Sequence, residues 1–87
     1  MKTHKLDKRH LGFGVYKFAA DFNYKELEKF CEIRAWCWSQ WGSSCEVDTV
    51  IKVFPNPPVW AWIKDDFRTK IYFQTEKEFQ WFTLKWR

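Results

Sequence analysis

The run VWAWIK (Val59 to Lys64), followed by DDFRT and then KIYFQ (Lys70 to Gln74), constrains this chain more than any other stretch. Two segments rich in branched and aromatic side chains, separated by a polar connection, predict an antiparallel β-hairpin. Successive side chains of a strand point to opposite faces, so Trp60 and Trp62 share one side while Val59, Ala61 and Ile63 share the other. Wherever this hairpin sits, two indoles project from one side of a sheet and need cover.

The elements around it follow from local signals. GFGVYKFAADF, Gly12 to Phe22, lacks helical periodicity and is expected to be a first strand. Asn23 then caps a helix, with Glu26 three positions on in capping-box spacing and Gly42 as the stop. At 100° per residue the apolar stripe reads Tyr24, Leu27, Phe30, Cys31, Ala35, Cys37, Trp38 and Trp41. Trp36 falls among the charged residues, where a neighbouring loop, the N-terminal segment or a partner would cover it. Arg34 falls inside the stripe, with its stem packed and its head expected at the rim rather than paired with Asp48 or Asp21. CEVDTVIKVF, Cys45 to Phe54, alternates and is expected to be a strand. PNPP interrupts it at Pro55 to Pro58, because proline cannot continue a ladder. Thr75 and Glu78 open a second helix from Thr75 to Phe82, with the last five residues readable as helix or strand.

The expected architecture is α+β: an antiparallel sheet of three or four strands with two helices on one face, in the order β-α-β-β-(β)-α. If Val47–Phe54 and Val59–Lys64 form one bent strand, the order is ferredoxin-like. Small and branched residues fit beneath helices, so Val59, Ala61 and Ile63 are placed inward with Ile71 and Phe73. Trp60, Trp62 and Tyr72 are then expected on the uncovered face beside Lys64 and Lys70, with Trp36 as a further contact. A second copy, another protein or a single-stranded nucleic acid could cover such a face.

Composition narrows these options. Seven Trp, nine Phe and three Tyr in 87 residues exceed what so small an interior holds, so some rings should reach the surface. The net charge of +4 is concentrated in the first residues, where Lys2, Lys5, Lys8 and Arg9 stand against Asp7. Residues 1–11 are therefore expected to be a flexible basic arm able to lie along phosphates, and residues 12–87 a nearly neutral domain. That balance favours protein over nucleic acid as the partner. Cys31, Cys37 and Cys45 are odd in number and lack a C-x-x-C pair, which points to free thiols in a reducing cytoplasm. A bridge between Cys37 and Cys45 stays open. No apolar run is long enough for a signal peptide or a membrane span. No phosphate loop, metal-ligand spacing or nucleophile–base pair is visible, so neither a cofactor nor an enzymatic activity is expected. His4 and His10 fall in the arm, and Asp65–Asp66 reads as a polar turn.

AWCWSQWG (Ala35–Gly42) and KIYFQTEKEFQWFTLKW (Lys70–Trp86) resemble segments of small uncharacterised proteins of tailed bacteriophages, especially marine ones. In these, a tryptophan-rich helix end is followed by an IYF strand, an acidic helix start and an aromatic F-x-L-x-W terminus. The resemblance implies a phage or environmental origin and a host-cell cytoplasm, and brings no catalytic residues with it. The resulting expectation is a non-enzymatic accessory factor, dimeric or bound to a host protein through exposed aromatics. The alternative is a single-strand nucleic-acid binder using the sheet rings and the basic arm.

Overall fold

The computed structural model describes residues 1–9, 13–66 and 68–86. Strand β1 (Lys2–Lys5) and strand β2 (Phe18–Asp21) are followed by a 3-10 turn at Tyr24–Glu26 and helix α1 (Leu27–Trp41). A short helix α2 (Val47–Val53), strands β3 (Trp60–Lys64) and β4 (Thr69–Phe73), and helix α3 (Glu76–Trp86) complete the chain. The strands form one antiparallel sheet in the order β1-β2-β4-β3. The class is α+β, with α1 and α3 together on one face, as the hairpin and the helix signals indicated.

Local chemistry accounts for most element ends. The Asn23 side chain accepts from the Lys25 N–H at 2.9 Å, and the Asn23 N–H donates to Glu26 at 3.1 Å, so the capping box is formed. Gly42 ends α1 at φ 86°, a positive value that an L side chain resists, and its N–H donates to the Trp38 carbonyl. Asp65 closes the β3–β4 connection by accepting from the Arg68 N–H at 2.6 Å. The Thr75 hydroxyl meets Glu78 at the start of α3, which continues to Trp86 and so makes residues 83–86 helical, while Arg87 lies outside the described residues.

Four expectations are corrected. Cys45 to Phe54 is not a strand: Val47 to Val53 is helical, and Val47 and Val50 are its buried residues. Val47, Val50, Ile51 and Phe54 also satisfy helical spacing, and Asp48 in the first turn and Lys52 in the last suit the helix dipole. The strand expected from Gly12 to Phe22 is confined to Phe18–Asp21 within the described residues; Gly12 lies outside them. The first residues are not an arm. Lys2–Lys5 pairs with β2, Leu6 is buried, His4 lies 3.1 Å from Asp21, and the N-terminal ammonium meets Glu26. His10 lies outside the described residues. The fourth correction is the sheet's facing.

In the hairpin, Ala61 stands opposite Tyr72, while Trp60 and Trp62 stand opposite Phe73 and Ile71. Trp60, Trp62, Ile71 and Phe73 therefore lie on the same face as Phe18 and Ala20, and this face packs against Phe30, Ile33 and Cys37 of α1 and Phe82 of α3. Ala19, Ala61, Ile63 and Tyr72 form the other face with Leu6 and Tyr16, covered by Val47 and Val50 of α2. A one-residue change of register moves a whole row to the other side of a sheet. The physical reason for the outcome is thickness. Two helices at ordinary packing distance need large side chains to fill the layer, whereas short α2 settles onto the alanines.

β2 and β3 run parallel on either side of β4, joined by the α1–α2 crossover, which is the split β-α-β arrangement. The strand beside β2 comes from the N-terminus. Among the described residues no helix is long and apolar enough to cross a membrane.

Candidate interaction surface on the first helix

The residues expected to form one aromatic sheet face are dispersed. Trp60 is 0% exposed; its indole N–H donates to the Gly42 carbonyl at 3.0 Å. Trp62 is half-buried beneath α1, with the Arg34 guanidinium 4.7 Å from its ring centroid. Tyr72 lies on the opposite face under α2. Burial pushes its phenol up to about 12. Lys64 is exposed at a strand end, and the Lys70 ammonium sits 3.6 Å from Asp21. Trp36 is covered by α3: its ring meets Trp86 at 5.9 Å and Trp41 at 5.4 Å, both edge-on.

The basic residues do not form one stripe either. Lys2 pairs opposite Asp21 and Lys5 opposite Phe18, so the two lysines point to different faces of the edge strand. Lys8 is exposed in the turn beyond, where Arg9 is tied to Asp7 at 3.0 Å. All three thiols are free: Cys31 is exposed, Cys37 buried and Cys45 intermediate. Burial raises the Cys37 thiol well above the ordinary range. Among the described residues no group of three or more His, Cys, Asp or Glu side chains could hold a metal ion.

What the fold does bring together is a second apolar stripe on α1. The helix uses Phe30, Ile33 and Cys37, with Trp36 and Trp41 beside them, against the sheet and α3. That leaves Tyr24 (79% exposed), Leu27 (37%) and Trp38 (49%) outward, together with exposed Cys31 and Ala35. Spacing of three or four residues places Leu27, Cys31, Ala35 and Trp38 on one side of the helix, and Tyr24 stands in the 3-10 turn before it. The core-facing stripe is thus rotated away from the one expected. The signal was present in Ile33 and Trp36, which no single stripe including Tyr24 and Leu27 could accommodate.

The exposed stripe leads into an open groove of about 550 Å³ between α1 and β3, lined by Cys31, Arg34, Ala35, Trp38, Ser39 and Trp62. Arg34 occupies its wall, stacked over Trp62 and 5.4 Å from the Phe30 centroid. Its guanidinium lies against these rings rather than pairing with Asp21, which is engaged by His4 and Lys70. The groove carries a cation on apolar walls. A smaller apolar patch, Trp81 and Leu84, lies on α3, with the Trp81 indole N–H 3.4 Å from Gln40.

No protein-family model, curated protein or solved structure matches the chain.

Proposed function

We propose that this protein acts by binding, not catalysis, and that its contact surface for another protein is the outer face of α1. One observation carries the reading. A 15-residue helix with its core side already occupied turns a second apolar row to solvent, Leu27, Cys31, Ala35 and Trp38, with Tyr24 exposed in the turn before it. Exposed rows of this kind mark contact surfaces, with Trp and Tyr as the usual anchors. The resemblance to tailed-phage proteins supports an accessory role in a host cytoplasm, where free thiols persist. Trp60 and Tyr72, two of the rings expected to stack single-stranded nucleic acid, lie beneath helices, which favours a protein partner.

The test places a photo-crosslinking benzophenone side chain at position 38 and, as a control, at Lys29 on the charged side of the helix. Irradiation of the purified protein, and of the protein added to a bacterial extract, should give protein adducts from position 38 and few from position 29. Equal yields from both positions, or none from position 38 in either sample, would overturn the reading.

A further inference from the structure

The seam between α1 and β3 carries charge of one sign where it is best ordered. Cys31, Ala35 and Trp38 of α1 give the groove neutral walls, and Trp62 of β3 closes its other side. Among the described residues lining it, Arg34 alone is charged. Its guanidinium lies against two rings, 4.7 Å from the Trp62 centroid and 5.4 Å from that of Phe30. Among the described residues it has neither an ion-pair partner nor a hydrogen-bond acceptor. Two residues along β3, Lys64 projects on the same side as Trp62 and lines a second depression of about 410 Å³ with Leu27. Lys64 has no ion pair either, while of the two carboxylates in that lining Asp65 is tied to Arg68 and Asp66 is exposed on the turn.

We infer that the occupant of this seam is an acidic, apolar segment of another protein, which lays a ring or aliphatic side chain against Ala35 and Trp38 and sets a carboxylate on Arg34. This rests on the reading of α1 as the contact face. Charge complementarity selects the sign. A guanidinium already stacked on an indole holds its N–H groups in one plane, so a carboxylate can accept two parallel bonds at little ordering cost. A basic segment would meet Arg34 and Lys64 as like charges. A neutral apolar segment would strip water from the guanidinium and return no acceptor.

The experiment uses the exposed Cys31 thiol in the groove lining as a handle, in full-length Cys45→Ser protein. Capped peptides of sequence cysteine-glycine-phenylalanine-X, with X glutamate, glutamine or lysine, are equilibrated with the protein in excess 2-mercaptoethanol. The Cys31 thiolate attacks the mixed disulfide of peptide and 2-mercaptoethanol, which leaves as its thiolate, and mass spectrometry counts the adduct. The glutamate peptide should be retained about fivefold more than the glutamine peptide, and the lysine peptide least. Arg34→Gln should bring the three to parity, and Arg34→Lys should keep part of the glutamate preference, with circular dichroism verifying both folds. The comparison of peptides on the site with Arg34 intact needs neither variant. Equal retention of all three peptides there, or a glutamate preference that survives Arg34→Gln, overturns the acidic segment while adducts from position 38 uphold the face. Position-38 adducts made only with a second copy of the chain also overturn it. Absence of those adducts altogether removes the reading beneath both.

Discussion

Trp60→Ala is expected to cost about 3–5 kcal/mol, the usual range for truncating a fully buried large ring. A domain this small belongs at the low end of the 5–15 kcal/mol range, about 5 kcal/mol, where that loss takes most of the stability and much of the population should be unfolded at 37 °C. The ring packs edge-on against Trp38 at 6.3 Å, and its N–H satisfies the carbonyl of Gly42, the residue that ends α1. Its own carbonyl accepts from the Ser44 hydroxyl at 2.6 Å, so the segment around Trp60 joins the end of α1 to the sheet. Truncation therefore removes both a core ring and the anchor of a helix end. Urea unfolding followed by far-ultraviolet circular dichroism measures the effect. A loss below about 1 kcal/mol would show that the ring is peripheral. Trp38→Ala should cost much less, because half of that side chain already faces water.

The distance between this result and the outward placement drawn from the sequence shows where the sequence was legible. Signals confined to a few neighbouring residues read correctly: the Asn23–Glu26 capping box, the Asp65 turn, the glycine stop at position 42 and the Thr75–Glu78 start of α3. Each is decided by backbone groups and side chains within four positions, so no tertiary knowledge is needed. Val47–Val53 was ambiguous in principle. Its apolar residues fit both a two-residue and a 3.6-residue period, and tertiary packing on Ala19 and Ala61 chose the helix over β-branched propensity.

The facing of Trp60 and Trp62 followed from that helix. The rule that small residues lie beneath helices fails for α1 and α3, which cover Trp60, Phe18 and Phe73, while Ala19 and Ala61 lie under α2, which the strand reading had removed. With α2 absent, α1 and α3 were assigned to the alanine side and the indoles to solvent. The candidate surface was illegible for a related reason. Leu27, Cys31, Ala35 and Trp38 are as apolar as a core row, and nothing local says which of two rows on one helix meets the sheet. The basic segment was misjudged because four residues with two lysines carry little strand signal of their own; the pairing groups of β2 recruit them.

The second large effect is alkaline unfolding, and its sign follows from burial. Desolvation holds Tyr72 at about 12 and raises Tyr16 and Cys37 further, because in each the neutral, protonated form is the one that fits the interior. In the unfolded chain tyrosine ionises near 10 and cysteine near 8.5. Between those values and the folded ones, the folded state binds more protons, so stability falls as pH rises. It should be level below about pH 8, decline first through Cys37, then steepen above pH 10 as both tyrosines join, approaching three protons in slope. The two phenols act on the same layer, since their rings are 6.1 Å apart and the Tyr16 hydroxyl donates to the Pro58 carbonyl at 2.8 Å. Ionising either places a charge beneath α2. Urea midpoints at pH 8, 9.5, 10.5 and 11.5 measure the decline, and tyrosinate absorbance should rise together with loss of ellipticity above pH 10. Tyr72→Phe should remove about one proton from the slope while leaving stability at pH 7 within about 1 kcal/mol, because the variant keeps the packing and loses only the ionisable group. A urea midpoint unchanged between pH 8 and 11.5 would mean that these groups ionise without leaving the interior, which a layer closed by Val47 and Val50 does not allow.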